Sequence, residues 1–313
     1  MKLLAALDHR PLVRPPVWVM RQAGRYLPEY RELRSRHGFQ QAVHDPALAA
    51  EITLQPIRRF RFDAAVIFSD IMTPLEGMGV QVDFAPGPEL RPMAIEEVAA
   101  LPGLDLDRVG FVFEALRKVR AELPPEVALI GFAGAPVTLL AYLLEGGGSK
   151  QFLSLRRALL GSPETTAEAL QSLGRSMAAY LTAQVEAGAD AVQLFDSWVG
   201  ILPRLLIERF VVPAAATALQ GVDVPSIYFA PGASHALESL PAVGADGYGV
   251  DWRLPLDEAW ERIGLEHAIQ GNLDPAVLLT DPKQITAAVA EVLRQAAGRP
   301  GHIFNLGHGI DKE

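Results

Sequence analysis

Apolar positions along the chain alternate between short continuous runs and longer stretches with helical spacing. Short runs of this kind are typical of parallel strands buried on both faces. The pattern predicts strands at 64–68, 127–132, 191–195, 226–229, 246–250, 268–270 and 302–305, and a further strand in the region 17–20. It predicts helices at 45–60, 106–122, 137–145, 150–160, 164–187, 203–219, 234–240, 256–262 and 282–297.

This regular order of strand and helix predicts parallel strands joined by right-handed crossovers. About eight strands favour an α/β fold of the (β/α)8 TIM-barrel type over a doubly wound sheet, and no Gly-x-Gly-x-x-Gly follows a strand. We find no linker or low-complexity tract, so residues 1–313 are expected to form a single domain. Residues 83–103, rich in Pro and Gly, form a long excursion, and the Gly-Ala-Asp segments 188–190 and 244–246 indicate one helix-to-strand turn used twice.

Composition narrows the class of protein. With 50% hydrophobic and 21% charged residues the chain is expected to be globular, and without cysteine it has no disulfide, thiolate nucleophile or Cys-bound zinc. A formal net charge of −9 argues against nucleic-acid binding. The absence of cysteine suits a reducing cytoplasm, and the first apolar run is too short for a signal peptide. Residues 127–144 carry no charge, but glycines and a proline in the middle favour a strand followed by a helix over a membrane span.

The N-terminal part of the chain is rich in arginine although the protein as a whole is acidic. Between residues 10 and 36 lie seven arginines and two glutamates. For residues 29–36 a solvated helix face with charge pairs explains the pattern. Arg21 and Arg25 differ, because they flank Gly24 within an apolar and aromatic segment. Guanidinium groups bind carboxylates and phosphates in a bidentate way, so these two arginines predict an anion site.

Asp70 comes directly after the predicted strand 64–68 and has no lysine nearby to pair with it. A helix cap, a salt bridge or a turn would each explain such a carboxylate. Its place at the carboxyl end of a barrel strand, where catalytic residues of this fold gather, favours a functional role. Asp70 and the segment 21–25 are therefore the first candidates for a site.

Three further residues are candidates, each with an alternative. Tyr142 has the spacing of a core or interface aromatic, and the glycines 146–148 after it indicate a close backbone approach, a mobile loop or a phosphate cradle. Ser197 has no nucleophile motif around it, so donation to a substrate carboxylate is the simpler role. His308 lies between glycines and is either structural or a ligand contact. For a metal only carboxylates at strand ends remain, since neither His-x-His nor His-Glu-x-x-His occurs, and no metal is expected.

Seven short motifs span nearly the whole chain. They are PVWVMRQAGRYLP at 16–28, IFSDI at 67–71, GFAGAP at 131–136, EGGGS at 145–149, QLFDS at 193–197, GNLDP at 271–275 and NLGHG at 305–309. In sequence and in order they closely resemble the uroporphyrinogen decarboxylase family. The first motif is specific by itself, and the others are specific in combination.

The resemblance implies a distorted (β/α)8 barrel, a homodimer and an enzyme of haem and tetrapyrrole synthesis that uses no cofactor. It implies conversion of the four acetate side chains of uroporphyrinogen III to methyls, giving coproporphyrinogen III and four CO2. Relatives continue past NLGHG with a final helix, so the last crossover is expected to be short or missing. The substrate-binding positions implied by the resemblance are Arg21, Gln22, Ala23, Gly24, Arg25, Asp70, Tyr142, Ser197 and His308, with Asp70 and Arg21 as the catalytic pair.

The implied substrate explains the local surplus of arginines, because uroporphyrinogen carries eight carboxylates. A pyrrole acetate loses CO2 readily once the ring is protonated on carbon, and Asp70 would stabilise the resulting cation. Arg21 or a water would deliver protons. Three alternatives remain open: a corrinoid-dependent methyltransferase, which would need a zinc held partly by cysteine, a non-catalytic tetrapyrrole carrier, and an unrelated phosphate-binding barrel enzyme.

Overall fold

A computed structural model describes residues 1–84 and 87–312 of the chain. The strands are β1 (Ala64–Val66), β2 (Asp83–Phe84), β3 (Pro88–Glu89), β4 (Ala128–Gly134), β5 (Ala191–Phe195), β6 (Ser226–Phe229), β7 (Gly247–Gly249), β8 (Ala268–Leu273) and β9 (His302–Leu306). The α-helices are α1 (Lys2–Leu7), α2 (Pro28–Arg36), α3 (Phe39–His44), α4 (Pro46–Phe60), α5 (Thr73–Gly77), α6 (Ile95–Ala99), α7 (Gly110–Glu122), α8 (Pro136–Glu145), α9 (Leu153–Gly161), α10 (Pro163–Glu186), α11 (Arg204–Leu206), α12 (Val212–Leu219), α13 (Leu256–Ile263) and α14 (Pro282–Ala296).

One curled parallel sheet organises the molecule. Its order is β1-β4-β5-β6-β7-β8-β9, so neighbouring strands follow one another along the chain without a reversal. A doubly wound sheet reverses its order at a switch point, and this sheet does not. Helices α4, α10 and α14 pack against β1, β4 and β8. The predicted α/β architecture, with strands and helices in barrel order, is confirmed.

The predicted strand in the region 17–20 is a single bridged residue. Val17 pairs with Phe304 of β9 in parallel, and the N–H of Phe304 donates to the carbonyl of Pro16 at 2.9 Å. On its other side the carbonyl of Val17 accepts the N–H of Asp63 at 2.9 Å, just before β1. Residues 16–18 therefore link the two edges of the sheet, although they are too short to count as a strand.

Three aspartates fasten the starts of strands in the same way. Each one donates its backbone N–H to the carbonyl of a residue at the start of the neighbouring strand, and its carboxylate accepts the N–H of that residue. The pairs, with the two distances, are Asp63 with Val17 (2.9 and 2.8 Å), Asp190 with Leu129 (2.8 and 2.8 Å) and Asp246 with Ser226 (3.1 and 2.7 Å). Val17 makes the same two hydrogen bonds to its aspartate as the strand residues Leu129 and Ser226 make to theirs. The segment 16–18 therefore takes the place of a strand.

The residue two positions before each of these aspartates is left-handed. Its φ is 55° at Arg61, 108° at Gly188 and 79° at Gly244. The turn predicted twice from Gly-Ala-Asp is thus confirmed, and a third copy precedes β1. The third copy carries arginine where the others carry glycine, at a cost on the order of 1 kcal/mol for an L-residue in this conformation.

The amino ends and the carboxyl ends of the strands are packed differently. At the amino ends of the strands α1 packs its buried leucines and alanine against the first residues of β1, β4, β5 and β8. Further inside, the indole N–H of Trp18 donates to Gln270 at 3.0 Å, and the Gln270 amide donates to Gln193 at 3.1 Å. The interior is therefore filled by side chains, and the carboxyl ends of the strands remain for a site.

The excursion 83–103 contains structure that the sequence pattern did not predict. Within the described residues it holds the antiparallel hairpin β2–β3 and the helix α6. The N–H of Leu90 donates to the carbonyl of Gly146, and that of Met93 to the carbonyl of Leu143, both at 2.9 Å. The excursion is thereby fastened to the end of α8.

Two predicted helices take other forms. The helix expected at 203–219 is α11, a π-helix over Ile207–Val211 and α12 in succession, and that at 234–240 is a 3₁₀-helix over Ser234–Val243. Pro213, at the start of α12, has no N–H to continue the α-helical pattern. The uncharged stretch 127–144 is divided between β4 and α8, as predicted, and among the described residues no helix has the length and hydropathy of a membrane span.

Candidate active site

Asp70 lies in the loop between β1 and α5, and its side chain is partly buried. Its Oδ1 accepts the N–H of Met72 at 2.9 Å, which fixes the carboxylate in a tight turn. Burial raises the pKa of Asp70 to about 6; the Met72 N–H and the positive charge of Arg21 act against this rise, and the negative charge of Glu76 adds to it. The carboxylate is thus poorly solvated and has a cation beside it.

Gln22 holds the arginine loop in place from below. Its Oε1 accepts the N–H of Val19 at 3.0 Å, its Nε2 donates to the carbonyl of Ala64 in β1 at 3.1 Å, and its own carbonyl accepts the Tyr26 hydroxyl at 2.8 Å. The side chain of Gln22 is fully buried. Both ends of its amide therefore serve the fold, and the side chain lies beneath the site instead of in it.

Arg21 is the exposed residue next to this anchor, and its backbone is left-handed with φ of 63°. Such a conformation costs on the order of 1 kcal/mol for a residue other than glycine. The loop after β9 runs alongside, since the N–H of Ile310 donates to the carbonyl of Met20 at 2.9 Å. A Cβ added to Gly309 would lie 2.8 Å from Cγ and from Nε of Arg21. The side chain of Arg21 thus passes directly over this glycine.

Tyr142 of α8 is buried in an aromatic cluster but remains within range of the charged groups. Its ring centroid lies 6.4 Å from that of Phe152 and 6.1 Å from that of Trp198. Burial raises the pKa of Tyr142; the neighbouring Trp198 indole lowers it, the charge of Asp70 raises it and that of Arg21 lowers it. Tyr142 is therefore a core aromatic on which the charges of Asp70 and Arg21 act, and its role as a substrate contact stays a prediction.

His308 lies in the loop after β9, within range of the charge of Arg21. Burial lowers the pKa of His308, and the positive charge of Arg21 lowers it further. Its ring meets that of Trp252 edge-on, with 6.4 Å between centroids. The imidazole is therefore neutral at pH 7 and can both donate and accept a hydrogen bond. Ser197, partly buried, begins the turn after β5 and precedes Trp198 of the aromatic cluster.

The remainder of the arginine loop lies apart from this group. Arg25 is exposed; its charge lowers the pKa of Tyr30, which burial raises, and its carbonyl accepts a hydrogen bond from Arg31 at 3.1 Å. Ala23 and Gly24 are partly buried, and a Cβ on Gly24 would lie 2.6 Å from the carbonyl oxygen of Arg21. The charge that acts on Asp70, Tyr142 and His308 alike is therefore that of Arg21.

Comparison with known proteins decides the family. The whole chain, residues 1–313, matches the family described as "Uroporphyrinogen decarboxylase (URO-D)". The chain belongs to the uroporphyrinogen decarboxylase family. Proteins named uroporphyrinogen decarboxylase from Chloroflexus aggregans and Geobacter sulfurreducens are 46% and 44% identical to it over 99% of this chain and 90% and 93% of their own length. A solved structure titled "methyltransferase from Methanosarcina mazei" shares the fold, with a TM-score of 0.82 at 22% identity, covering 99% of this chain and 92% of that one.

An aromatic layer closes the interior beneath the site of this uroporphyrinogen decarboxylase relative. Phe132 at the end of β4, Phe195 of β5 and Phe229 of β6 contact one another edge-on, with ring centroids 5.6 and 6.2 Å apart. Sequence reasoning did not single out these residues. The signal available was their shared place near the ends of adjacent strands, with side chains on the inner face. They form a largely buried apolar layer across three adjacent strands.

Asp196 is a second carboxylate beside the site, and it is fully buried. It accepts hydrogen bonds from the Thr138 hydroxyl at 2.7 Å and from the Tyr228 hydroxyl at 2.8 Å. Burial raises the pKa of Asp196 to about 6, and these hydrogen bonds act against the rise. Because Thr138 is one helical turn before Tyr142 and Asp196 precedes Ser197, this network fixes two of the predicted substrate contacts relative to each other.

The three glycines after α8 approach the chain itself. Gly146 is left-handed, with φ of 78°, and ends the helix. A Cβ there would lie 2.8 Å from the carbonyl oxygen of Leu90 and 2.6 Å from Pro92. Of the three interpretations of this segment, close backbone approach is the one that the structure fits at Gly146, and the partner is the excursion after β3. Among the described residues no three His, Asp or Glu side chains lie together as a metal site.

Gly309 provides a test of how Arg21 is held. The backbone of Gly309 is not left-handed, so alanine is compatible with it, but the added Cβ would push against the Arg21 side chain. We expect Gly309→Ala to lower kcat/KM by about fivefold, since small displacements of a positioning group reduce rates. Gly103→Ala is the control, because a Cβ there meets nothing within 4 Å. Equal steady-state kinetics in both variants would show that Arg21 has no fixed role.

Proposed function

We propose that this protein converts the four acetate side chains of uroporphyrinogen III to methyls, yielding coproporphyrinogen III and four CO2 in tetrapyrrole synthesis. The observation that carries the proposal is that the positive charge of Arg21 acts on the carboxylate of Asp70 beyond the carboxyl end of β1, in a member of the uroporphyrinogen decarboxylase family. An octacarboxylate substrate explains why an acidic protein presents the exposed guanidinium of Arg21 at its site. The poorly solvated carboxylate of Asp70 suits a reaction that develops positive charge.

The chemistry needs a charge stabiliser more than it needs a nucleophile. A proton adds to a ring carbon of the pyrrole, and the ring becomes an iminium cation. The bond between the acetate methylene and its carboxylate then breaks, its electron pair enters the ring, and CO2 leaves. A proton adds to the methylene carbon to make the methyl group, and the ring proton departs. The pyrrole is its own electron sink, so this scheme requires no cofactor.

Each predicted residue has a role in this scheme. Asp70, as an anion, accepts hydrogen bonds from pyrrole N–H groups and stabilises the cation. Arg21 binds the carboxylate of the reacting side chain and, with a water, is a candidate to deliver protons. The remaining groups act at the periphery: Gln22 positions the loop 21–25, Ala23 and Gly24 offer their backbone, and Arg25, Tyr142, Ser197 and neutral His308 bind or orient other carboxylates.

We further propose that residues 1–313 act as one domain, that the protein forms a homodimer, and that it works in the cytoplasm. We extend these three properties to this chain because it belongs to the family. Light scattering of the purified protein measures its molar mass in solution and so shows whether it forms the homodimer. A monomer at micromolar concentration would remove the homodimer from the proposal without touching the chemistry.

The test of function is anaerobic incubation of the purified protein with uroporphyrinogen III. The products are then oxidised and the porphyrins are separated by their number of carboxylates. We expect the octacarboxylate to decrease and the tetracarboxylate to accumulate, with species of seven, six and five carboxylates in between. Tight binding without any loss of carboxylates would identify a tetrapyrrole carrier instead.

A further inference from the structure

Arg253 lies in the turn that follows β7, and no sequence motif pointed to it. Its Nη1 donates to Oδ2 of Asp251 at 2.8 Å, and its backbone N–H donates to Oδ1 of the same carboxylate at 2.9 Å. Asp251 itself is buried and also accepts the N–H of Gly232. Arg253 is therefore held from one side by a carboxylate that is fixed to two strand ends.

The indole of Trp252 holds the guanidinium from a second side. The Cζ of Arg253 lies over this ring, 4.6 Å from its centroid. The edge of the same ring system meets His308 with 6.4 Å between centroids. A guanidinium stacked on an aromatic ring loses less freedom on binding a ligand than a free side chain does. The residues 251–253 thus form a preorganised arm that reaches toward His308.

The charge of Arg253 is directed toward the site. Burial lowers the pKa of His308, and among charges Arg21 and Arg253 both lower it further. Both arginines therefore act on the same imidazole although they are far apart in the sequence, and the charge of Asp251 acts against them. Half of the Arg253 side chain remains exposed, with a relative accessibility of 52%.

A purely structural salt bridge with Asp251 is the simplest alternative. The guanidinium is half exposed, so solvent screens its ion pair with the buried carboxylate and reduces what the pair contributes to stability. Asp251 is already satisfied by backbone N–H groups of Gly232 and Arg253, so the turn does not need the guanidinium. A structural salt bridge alone does not explain why the Arg253 guanidinium stacks on Trp252 beside His308. Such stacking suits a cation that is held in position to bind a carboxylate.

We propose that Arg253 binds a peripheral carboxylate of the tetrapyrrole substrate, next to Trp252 and His308. The inference rests on the proposed function, since it assumes a polycarboxylate ligand in the same site. It adds a contact outside the loop 21–25 and the motifs of the family. A side-chain carboxylate would bind the exposed edge of the guanidinium in a bidentate way.

The test compares Arg253→Gln and Arg253→Lys with Arg58→Gln. Arg58 is a matched control, because it is 53% exposed and pairs with Glu51 at 2.7 Å on the outer helix α4. We expect Arg253→Gln to raise KM for uroporphyrinogen by about fivefold with kcat nearly unchanged, and Arg253→Lys to fall in between. Thermal stability of all three variants should match that of the wild type. An unchanged KM in Arg253→Gln overturns the inference.

A binding measurement separates this inference from the proposed function. Uroporphyrin, the oxidised octacarboxylate, is titrated into each protein and its fluorescence is followed, so that Kd is obtained without turnover. If the wild type binds but does not decarboxylate, the proposed function fails, and a weaker Kd in Arg253→Gln than in Arg58→Gln still supports the carboxylate contact. Equal Kd values in these two variants, or no binding by the wild type, overturn it.

Discussion

Replacing Asp70 with asparagine is expected to lower kcat by about 10²- to 10³-fold while the fold stays intact. The substitution keeps the shape of the side chain and the hydrogen bond from Met72, whose N–H can donate to the amide oxygen. It removes the negative charge that faces Arg21 and the bound pyrroles. Because a charge that acts only in the transition state changes kcat more than binding, KM should change little.

Asp274→Asn is the matched control for this experiment. Asp274 also follows a strand, β8, is partly buried, and its Oδ1 accepts the N–H two residues on at 2.9 Å. It has the same local turn as Asp70 but a different place around the sheet. Kinetics of both variants, with circular dichroism to verify the fold, separate loss of a charge from loss of a turn. Wild-type kcat in Asp70→Asn would remove Asp70 from the mechanism.

Asp63→Ala is expected to lower the free energy of unfolding by about 2 kcal/mol, since a buried acceptor of several hydrogen bonds is lost. The carboxylate accepts from Arg14 at 2.6 and 3.0 Å, from Lys2 at 2.7 Å and from the N–H of Val17 at 2.8 Å. It thereby ties α1 and the bridging segment 16–18 to the start of β1. For a chain of this length the melting temperature should fall by about 3 °C.

The pH dependence of this contribution follows from the pKa of Asp63. Burial alone would raise that pKa, but hydrogen bonds from Arg14, Lys2 and Val17 lower it overall. The stabilisation is therefore fully present above the unfolded value of about 3.9 and is lost as pH falls through the lower folded value. Asp8→Ala, which removes an exposed ion pair with Arg10, is the control. Equal melting temperatures for the two variants at pH 7 would contradict the structural role of Asp63.

The fold was predictable where a short apolar run in the sequence corresponds to a buried strand. The strands at 191–195 and 226–229 have the bounds that the apolar runs predict, because continuous apolar residues there have no helical alternative. The turn before β1 was missed because Arg61 replaces the glycine that marks the other two copies. The bridge at Val17 has no signal of its own, since its partners are Phe304 and Asp63, far away in sequence.

The site was predictable to the extent that family motifs carry it. Arg21, Asp70 and His308 came from separate motifs and Tyr142 from the stretch between two others, and the charge of Arg21 acts on each of the other three. Gln22, in the same motif as Arg21, lies in the core, because a motif preserves residues that shape a loop as well as those that touch a ligand. The Asp196 network and the aromatic layer depend on contacts between different strands, which no local pattern records.

The most direct measurement is the pH dependence of kcat/KM for the wild type and for Asp70→Asn between pH 8 and pH 5. Since kcat/KM reports groups of the free enzyme, the wild-type value should fall as pH drops through about 6, where Asp70 becomes protonated. Asp196 and the substrate are the same in both proteins, so the difference between the profiles isolates Asp70. We expect a low value without this fall in Asp70→Asn. A profile in Asp70→Asn that matches the wild type in height and shape would contradict an anionic Asp70 at the centre of the reaction.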